Sequence, residues 1–230
     1  MAEQQTGAAP QSQTLDRGIR ILERLASAGR PLPIAEIGSA VGLHRSIAYR
    51  LLRTLEDHQL VDRVSAGQYT AGLGLVTLAR GVRAGLQAAA SPWLHGLVAE
   101  LGMTAFLVVR SGVDAVTVTS VEPQHTAAHV AYRPGSRHPV DRGAPGLALL
   151  MPDPPAPGDR TELRDARRTG WATSHGEVIP GLRSVAAPIV GADGSARGAI
   201  AVVYLDEDAD VATIGQAVVI AAQKTAAALT

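Results

Sequence analysis

The sequence has no cysteine, one lysine (Lys224) and only 3% aromatic residues. Without cysteine, a disulfide-stapled fold, a cysteine-ligated zinc site and a thiol nucleophile are excluded. No apolar run reaches the roughly 18–20 residues of a membrane-spanning helix, so no membrane association is expected. With so few aromatic rings, the core must be built from Ala, Val, Leu and Ile. Nearly all positive charge is arginine, which makes bidentate contacts with phosphates and guanine edges.

The composition is that of a globular protein. The 230 residues are 46% hydrophobic, which suffices for one large domain or two small ones. The formal net charge of +0 excludes a protein that coats nucleic acid by bulk electrostatics, but it allows a small local DNA-binding surface. Residues 1–13 are polar and lack the layout of a signal peptide, so we interpret them as a disordered leader on a cytoplasmic protein.

The first part of the chain, residues 14–72, predicts a winged helix-turn-helix domain. "TLDRGIRILERLASAG" predicts a helix with Thr14 as N-cap and an end at Gly29. "PLPIAEIGSAVGL" predicts a second helix with Gly42 at its C′ position. A third helix is predicted from Arg45 to Asp57, followed by a hairpin in "LVDRVSAGQYTAG". The predicted inward positions of the three helices are Leu15, Ile19, Leu22 and Leu25; Ile34, Ile37 and Val41; and Ile47, Ala48, Leu51, Leu52 and Leu55.

The third predicted helix has an unbalanced charge. "GLHRSIAYRLLRTLEDHQLV" carries His44, Arg45, Arg50 and Arg53, with no acidic residue before Glu56. Such a face suits a DNA groove, although a plain solvated surface is the alternative. The predicted contacts to bases or adjacent phosphates are Arg45, Ser46, Tyr49 and Arg50; those to the DNA backbone are Arg53 and Thr54; and those from the hairpin are Arg63, Gln68 and Tyr69.

Residues 73–90 predict a linker helix with exposed apolar positions at Leu73, Val76, Leu78 and Val82. Such a helix commonly pairs with its copy in a second subunit, which predicts a homodimer and two half-sites on DNA. A further helix is predicted in "SPWLHGLVAELG", with Ser91 as N-cap, Pro92 at N1 and an end at Gly102.

The remainder, within residues 91–230, predicts an α+β domain with an antiparallel sheet of five or six strands. The predicted strands are "MTAFLVVR", "AVTVTSVE", "AAHVAY", "RSVAAPIV" and "ARGAIAVVYL". A Pro-rich loop (151–159), the polar helix "RTELRDARRTG" and an Ala-rich C-terminal helix complete it.

Two sequence blocks resemble the IclR-type bacterial transcriptional regulators. "TLDRGIRILERLA … LPIAEIGSAVGLHRSIAYRLLRTLEDHQLVDR" is similar to their DNA-binding domain, and "RRTGWATSHGEVIPGLRSVAAPI" to their GAF-like effector-binding domain. The resemblance covers roughly residues 14–229. It implies a homodimer or dimer of dimers, a palindromic operator on double-stranded DNA, and a small organic effector that alters operator binding, with a repressor more expected than an activator.

The resemblance also implies an effector site, at Gly143, Ala144, Gly146, Gly181, Leu182, Arg183 and Ser184. Here the family usually has Ser/Thr-Ala-x-Gly-Lys/Arg, whereas this chain has Gly143-Ala144-Pro145-Gly146-Leu147. The segment 150–164 is short and Pro-rich, as in actinobacterial members that regulate amino-acid biosynthesis. A carboxylate or an amino-acid-related metabolite is the expected effector, because free N–H groups at a helix start attract anions. The alternative is that the glycines only permit tight packing.

Other functions find little support. His125 and His129 have the four-residue spacing of metal ligands on a helix, but their segment is predicted as loop and strand, so we expect no metal and no cofactor. No Ser/His/acid arrangement has local support, so we expect no enzyme. The remaining rival is a ligand-independent regulator or architectural DNA-binding protein whose C-terminal domain only oligomerises.

Overall fold

The computed structural model describes residues 12–124, 132–205 and 207–229. The chain divides into two compact units, Met1–Val82 and Arg83–Thr230. Most of the leader, nearly all of the predicted strand "AAHVAY", and both histidines of the candidate metal pair lie outside the described residues. Within the described part, no helix is both long and apolar enough to span a bilayer.

The N-terminal unit is a winged helix-turn-helix, as predicted. Its elements are α1 (Gln13–Ala28), β1 (Leu32–Pro33), α2 (Ile34–Ala40), α3 (Arg45–Asp57), β2 (Val61–Ser65), β3 (Gln68–Ala71) and α4 (Gly74–Ala79). The strands form an antiparallel sheet in the order β1-β3-β2. The core contains the predicted inward residues of α2, and those of α3 apart from Ile47, which is only partly buried. Ile37, Ala48 and Leu52 are at 0% exposure.

Helix α1 differs from its prediction in its cap and its buried face. Its N-cap is Ser12, whose Oγ accepts a hydrogen bond from the Leu15 N–H at 3.4 Å, and not Thr14. Leu15 and Ile19 are 63% and 47% exposed, and Ile21 is buried in their place. The cause is the helical period: the apolar stripe is wide, and packing against α2 and α3 selects one edge of it.

The predicted linker helix (73–90) and the helix predicted after it have other boundaries in the structure. Helix α4 ends at Ala79, and α5 (Ala84–Leu101) runs through Ser91 and Pro92 without a break. Ser91 is therefore not an N-cap and Pro92 is not at N1. The proline is tolerated because it lies on an exposed helix face, where water can hydrate the Ala88 carbonyl that has no N–H partner at Pro92. The end at Gly102, in the left-handed conformation, is as predicted.

The C-terminal unit is an α+β domain with a six-stranded antiparallel sheet in the order β6-β5-β4-β9-β8-β7. After α5 its elements are β4 (Thr104–Ser111), β5 (Asp114–Val121), β6 (Arg137–Pro139), α6 (Gly143–Leu150), α7 (Thr161–Thr169), β7 (Ala172–His175), β8 (Arg183–Val190), β9 (Ala196–Tyr204) and α8 (Val211–Ala227). Strands β6 and β7 were not predicted.

Both faces of this sheet are covered. Alternate residues of β4 point to opposite sides: Leu107 packs in one core with α5 and α8, and Phe106 packs in the other with α6 and α7. The central strands are therefore apolar at nearly every position. Strand β7 lies beside β8 and carries Ser174 to the N-terminus of α6, which positions the second site described below.

Candidate functional site

A groove of about 830 Å³ lies between α3 and the β2–β3 hairpin of the N-terminal unit. The N-terminal half of α3 forms one wall, and Arg63 with the hairpin turn forms the other. Its lining residues are Ile34, His44, Arg45, Ser46, Tyr49, Arg50, Arg63, Ala66, Gly67 and Tyr69.

Tight backbone packing fixes the two walls of the groove. In the turn between α2 and α3, the Leu43 N–H donates to Gly38 O at 2.8 Å. A β-carbon at Gly38 would lie 2.9 Å from Leu43 O, so this approach requires glycine. At the base of the hairpin, a β-carbon at Gly72 would lie 2.3 Å from Gln59 O. These glycines hold α3 and the hairpin in a fixed relation to each other.

The arginines around the groove are left free for a ligand. Among the described residues, the guanidinium groups of Arg45, Arg50 and Arg63 make no ion pair or hydrogen bond. Elsewhere arginines are commonly paired, as Arg24 and Arg30 are with Glu36. All three arginines of the predicted base-reading and hairpin sets are thus exposed along one groove, which gives a positive concave surface suited to phosphates.

Not every predicted DNA contact lies in the groove. Arg53 and Thr54 are exposed on α3 but outside it, and Gln68 is exposed on β3, where its Oε1 accepts from Ser65 Oγ. Tyr69 lines the groove but is only 2% exposed, because its side chain alternates inward along β3 and packs in the core; its predicted DNA contact stays a prediction. His44 was missed; its imidazole lies at the start of α3, with Nδ1 3.2 Å from Ser46 Oγ.

The second candidate site, in the C-terminal unit, is a cavity of only about 20 Å³ at the N-terminus of α6. That volume holds about one water-sized molecule. The apolar floor includes Phe106 and Tyr132, whose rings stack at a centroid distance of 4.3 Å. The cavity residues are Phe106, Tyr132, Gly143, Pro145, Ser174, Glu177, Val178, Ile179, Leu182, Ser184 and Val203.

The N–H groups that begin α6 are already satisfied by the chain itself. The Arg142 N–H donates to Pro139 O at 3.1 Å. The Gly143 N–H donates to Glu177 Oε2 at 2.9 Å, and the Ala144 N–H to Ser174 Oγ at 2.8 Å. Pro145 has no N–H. The N–H groups that were expected to bind an anion therefore already have hydrogen-bond acceptors within the chain. The acceptor at Gly143, the first residue of α6, is the Glu177 carboxylate.

Glu177 is held by a second group. The Arg160 guanidinium donates to both of its carboxylate oxygens, Nη1 to Oε2 and Nη2 to Oε1, each at 2.9 Å. This bidentate pair lowers the pKa of the Glu177 carboxyl below its ordinary value, and the Gly143 N–H adds to the effect against the opposing influence of burial. Glu177 is thus a carboxylate in this site at neutral pH.

The predicted effector residues are only partly brought together. Gly143, Leu182 and Ser184 line the cavity, and Gly181 lies in the loop beside it. Gly146 is instead a packing glycine, since a β-carbon there would lie 2.4 Å from Val140 O. Arg183 does not line the cavity, and its Nη2 is 3.7 Å from Glu207 Oε1. The Arg160–Glu177 pair was missed, because nothing local links residues 17 positions apart.

Comparison with known proteins places the chain in a family. Residues 14–65 match the model of the IclR helix-turn-helix domain, and residues 158–229 match that of the bacterial transcriptional regulator IclR C-terminal domain. The Cupriavidus necator protein named "Probable transcriptional regulator SauR" is 31% identical over 211 residues, which cover 81% of this chain and 83% of that protein.

Two further proteins are similar over most of their length. The HTH-type transcriptional repressor AllR of Salmonella typhimurium is 27% identical over 216 residues, covering 83% of this chain and 79% of AllR. The crystal structure of an IclR homolog from Microbacterium hydrocarbonoxydans complexed with 4-hydroxybenzoate matches with a TM-score of 0.81 at 22% identity, covering 94% of this chain and 99% of that one. These relatives are regulators and not enzymes, and the chain belongs to the IclR family of bacterial transcriptional regulators.

Proposed function

We propose that the protein is a sequence-specific regulator in which α3 enters the major groove of an operator. The observation that carries this proposal is the groove between α3 and the hairpin, with its three unpaired arginines. A major groove about 12 Å wide admits one α-helix, and the first turns of a recognition helix commonly reach the bases. Arg45, Ser46, Tyr49 and Arg50 occupy those turns, while Arg63 on the hairpin is placed for a phosphate.

Arg53 and Thr54 are assigned to the DNA backbone in this arrangement. Both are exposed and follow the groove-lining residues along the same helix. Thr54 Oγ1 donates to Arg50 O at 3.1 Å, so a hydrogen bond to a phosphate oxygen, which only accepts, requires this hydroxyl to turn away from Arg50 O. His44, at the N-cap of α3, joins the phosphate contacts because it lies beside the free N–H groups of the helix start.

The operator is expected to be palindromic, because the chain offers a surface for a second copy. Leu73, Val76, Leu78 and Val82 are 77%, 58%, 67% and 54% exposed, and none of the residues of α4 is buried. Apolar side chains at this density favour association, and a two-fold pair of α3 helices would meet two half-sites. A homodimer, or a dimer of dimers, is therefore part of the proposal.

The C-terminal unit is proposed to bind a small organic effector; the IclR homolog from Microbacterium hydrocarbonoxydans is complexed with such a molecule, 4-hydroxybenzoate. The present cavity of about 20 Å³ is too small for such a molecule, so binding requires the loop of residues 176–182 to move. The same observation favours one alternative: a regulator whose C-terminal unit binds no effector and only oligomerises. Repression is the proposed direction, by analogy with the repressor AllR.

Selection of genomic fragments by the purified protein tests the DNA-binding proposal, with Arg50→Ala as the comparison variant. We expect wild type to enrich a palindrome upstream of a few genes, and Arg50→Ala to lose that enrichment while remaining folded. Recovery of fragments without a shared motif, in a strongly salt-dependent manner, would instead indicate binding by backbone charge alone.

A further inference from the structure

The loop of residues 176–182, which we call the Glu177 lid, closes the cavity of the C-terminal unit from outside. Its two ends meet through a hydrogen bond from the Gly176 N–H to Leu182 O at 2.8 Å. Gly176 and Gly181 have φ values of 67° and 79°, a conformation that glycine adopts without strain. The lid is therefore a short closed loop joined to β7 and β8 by two adaptable residues.

The lid carries an apolar tip and a charged anchor. Val178 and Ile179 line the cavity, yet they remain 37% and 40% exposed. Val178 also occupies the space beside Gly143: a β-carbon there would lie 2.7 Å from Val178 Cγ2. Apolar contact therefore holds the tip only in part, and the charged anchor is the Glu177 carboxylate on Gly143 and Arg160.

The corner around Glu177 contains two arginines and one further carboxylate, Glu162, whose Oε2 lies 3.3 Å from Arg160 Nε. Arg160 and Arg142 both act on its carboxylate. Beside them, His138 is 7% exposed, and its Nε2 has no hydrogen-bond partner among the described residues. The His138 ring reaches Gly143, with Cε1 3.7 Å from the position of a β-carbon there. If Glu177 left, Arg160 would keep the Asp141 carbonyl and Glu162 as partners, but its Nη2 and the Gly143 N–H would lose their carboxylate, and both are donors that favour an anion.

We propose that Glu177 is an internal competitor for the effector's carboxylate, and that effector binding opens the lid by displacing Glu177 from Gly143 and Arg160. This inference rests on the proposed effector response. It assigns the effector class as a small carboxylate with an apolar body, since the head takes the position of Glu177 and the body lies over Phe106 and Tyr132. The closed lid is then the effector-free state.

Competition within one chain has a measurable consequence. A tethered carboxylate acts at a high effective concentration, so a free carboxylate must bind against it and its apparent affinity is lowered. Removing the charge of Glu177 should therefore strengthen binding of a carboxylate, whereas deletion of an ordinary binding residue would weaken it. A neutral molecule of the same shape has no such competitor at the α6 N-terminus.

The test compares benzoate with the isosteric neutral benzamide, by isothermal titration of the full chain. Glu177→Ala is expected to bind benzoate about tenfold or more tightly than wild type, with little change for benzamide. Glu177→Gln keeps the side-chain volume and decides the question if the alanine variant does not fold. Asp193→Ala is the control, since it breaks an ion pair with an arginine, Arg197 at 2.9 Å, away from the lid.

Operator binding is measured on the same samples, so that failure of the competitor role can be told apart from failure of the proposed effector response. Equal benzoate affinity in wild type and both Glu177 variants, or weaker affinity in the variants, overturns the competitor role. Tighter benzoate binding that leaves operator affinity unchanged supports the lid and removes the effector response from the proposed function. Adding Arg160→Gln to Glu177→Ala should abolish the gain, because the carboxylate loses its bidentate partner.

Discussion

Arg50→Ala and Arg53→Ala should separate base reading from backbone binding on a single helix. Both side chains are exposed and neither guanidinium has a partner among the described residues, so neither change should alter stability by more than about 0.5 kcal/mol. Arg50 lines the groove beside Arg63, and Arg53 does not. The two variants are therefore matched in chemistry, helix and exposure, and they differ in position.

The expected magnitude follows from the number of contacts. One bidentate base contact contributes about 1–3 kcal/mol of discrimination. A dimer on a palindrome loses it twice, so Arg50→Ala should weaken operator binding by about 2–6 kcal/mol, which corresponds to roughly 30-fold to more than 10⁴-fold. Arg53→Ala should weaken binding to all sequences similarly and reduce the salt slope by about one per lost phosphate contact.

Fluorescence anisotropy titrations at several salt concentrations measure both quantities, on operator DNA and on a scrambled duplex. We expect Arg50→Ala to lose specificity and Arg53→Ala to retain it. Equal losses on both duplexes for Arg50→Ala would refute the assignment of Arg50 to the bases. The reverse pattern for the two variants would place the opposite edge of α3 in the groove.

Three further predictions concern packing, association and pH. Gly146→Ala should destabilise the protein by about 1–3 kcal/mol, because the new β-carbon would contact the Val140 backbone. Gly96→Ala in α5 should stabilise it by about 0.5–1 kcal/mol, because no atom lies within 4 Å of the added β-carbon. Urea unfolding measures both changes. Leu78→Glu should shift the protein toward monomer in analytical ultracentrifugation, while Val113→Glu, at a position 78% exposed in the C-terminal unit, should not. The pKa of the Glu177 carboxyl is lowered in the folded state, so its ion pair stabilises the fold. This stabilisation is fully present above the ordinary glutamate pKa of about 4.3, and it is lost as the pH falls through the lower pKa of the folded state. The stability difference between wild type and Glu177→Gln should therefore shrink on acidification, and a difference that grows would contradict the assignment.

The periodic elements could be predicted from the sequence, because their signals are local. The extent of α3 follows from an apolar period whose last residue, Leu55, lies just before the helix end at Asp57. The turn before α3 follows from Gly42. The unpaired arginines of α3 were visible as a charge run without nearby acids. Conversely, the buried edge of α1 depends on its tertiary neighbours, so Ile19 could not be told from Ile21 by pattern alone.

The closed state of the second site could not be predicted, since it depends on contacts distant in sequence. Gly143 and Glu177 are 34 positions apart, and Ala144 and Ser174 are 30 apart. The sequence placed free N–H groups at the start of α6, whereas the fold satisfies them with side chains from β7 and the Glu177 lid. The glycine at position 143, which lacks the hydroxyl usual in the family, leaves the room that Val178 occupies.

The specificity ratio tests the central claim most directly. It is the affinity for a selected palindrome divided by that for a scrambled duplex of equal length and composition, at one physiological salt concentration. We predict a ratio of about 10³ or more, as is typical of sequence-reading proteins, with one dimer bound per palindrome. A ratio near one, at any stoichiometry, would contradict the claim that α3 reads sequence.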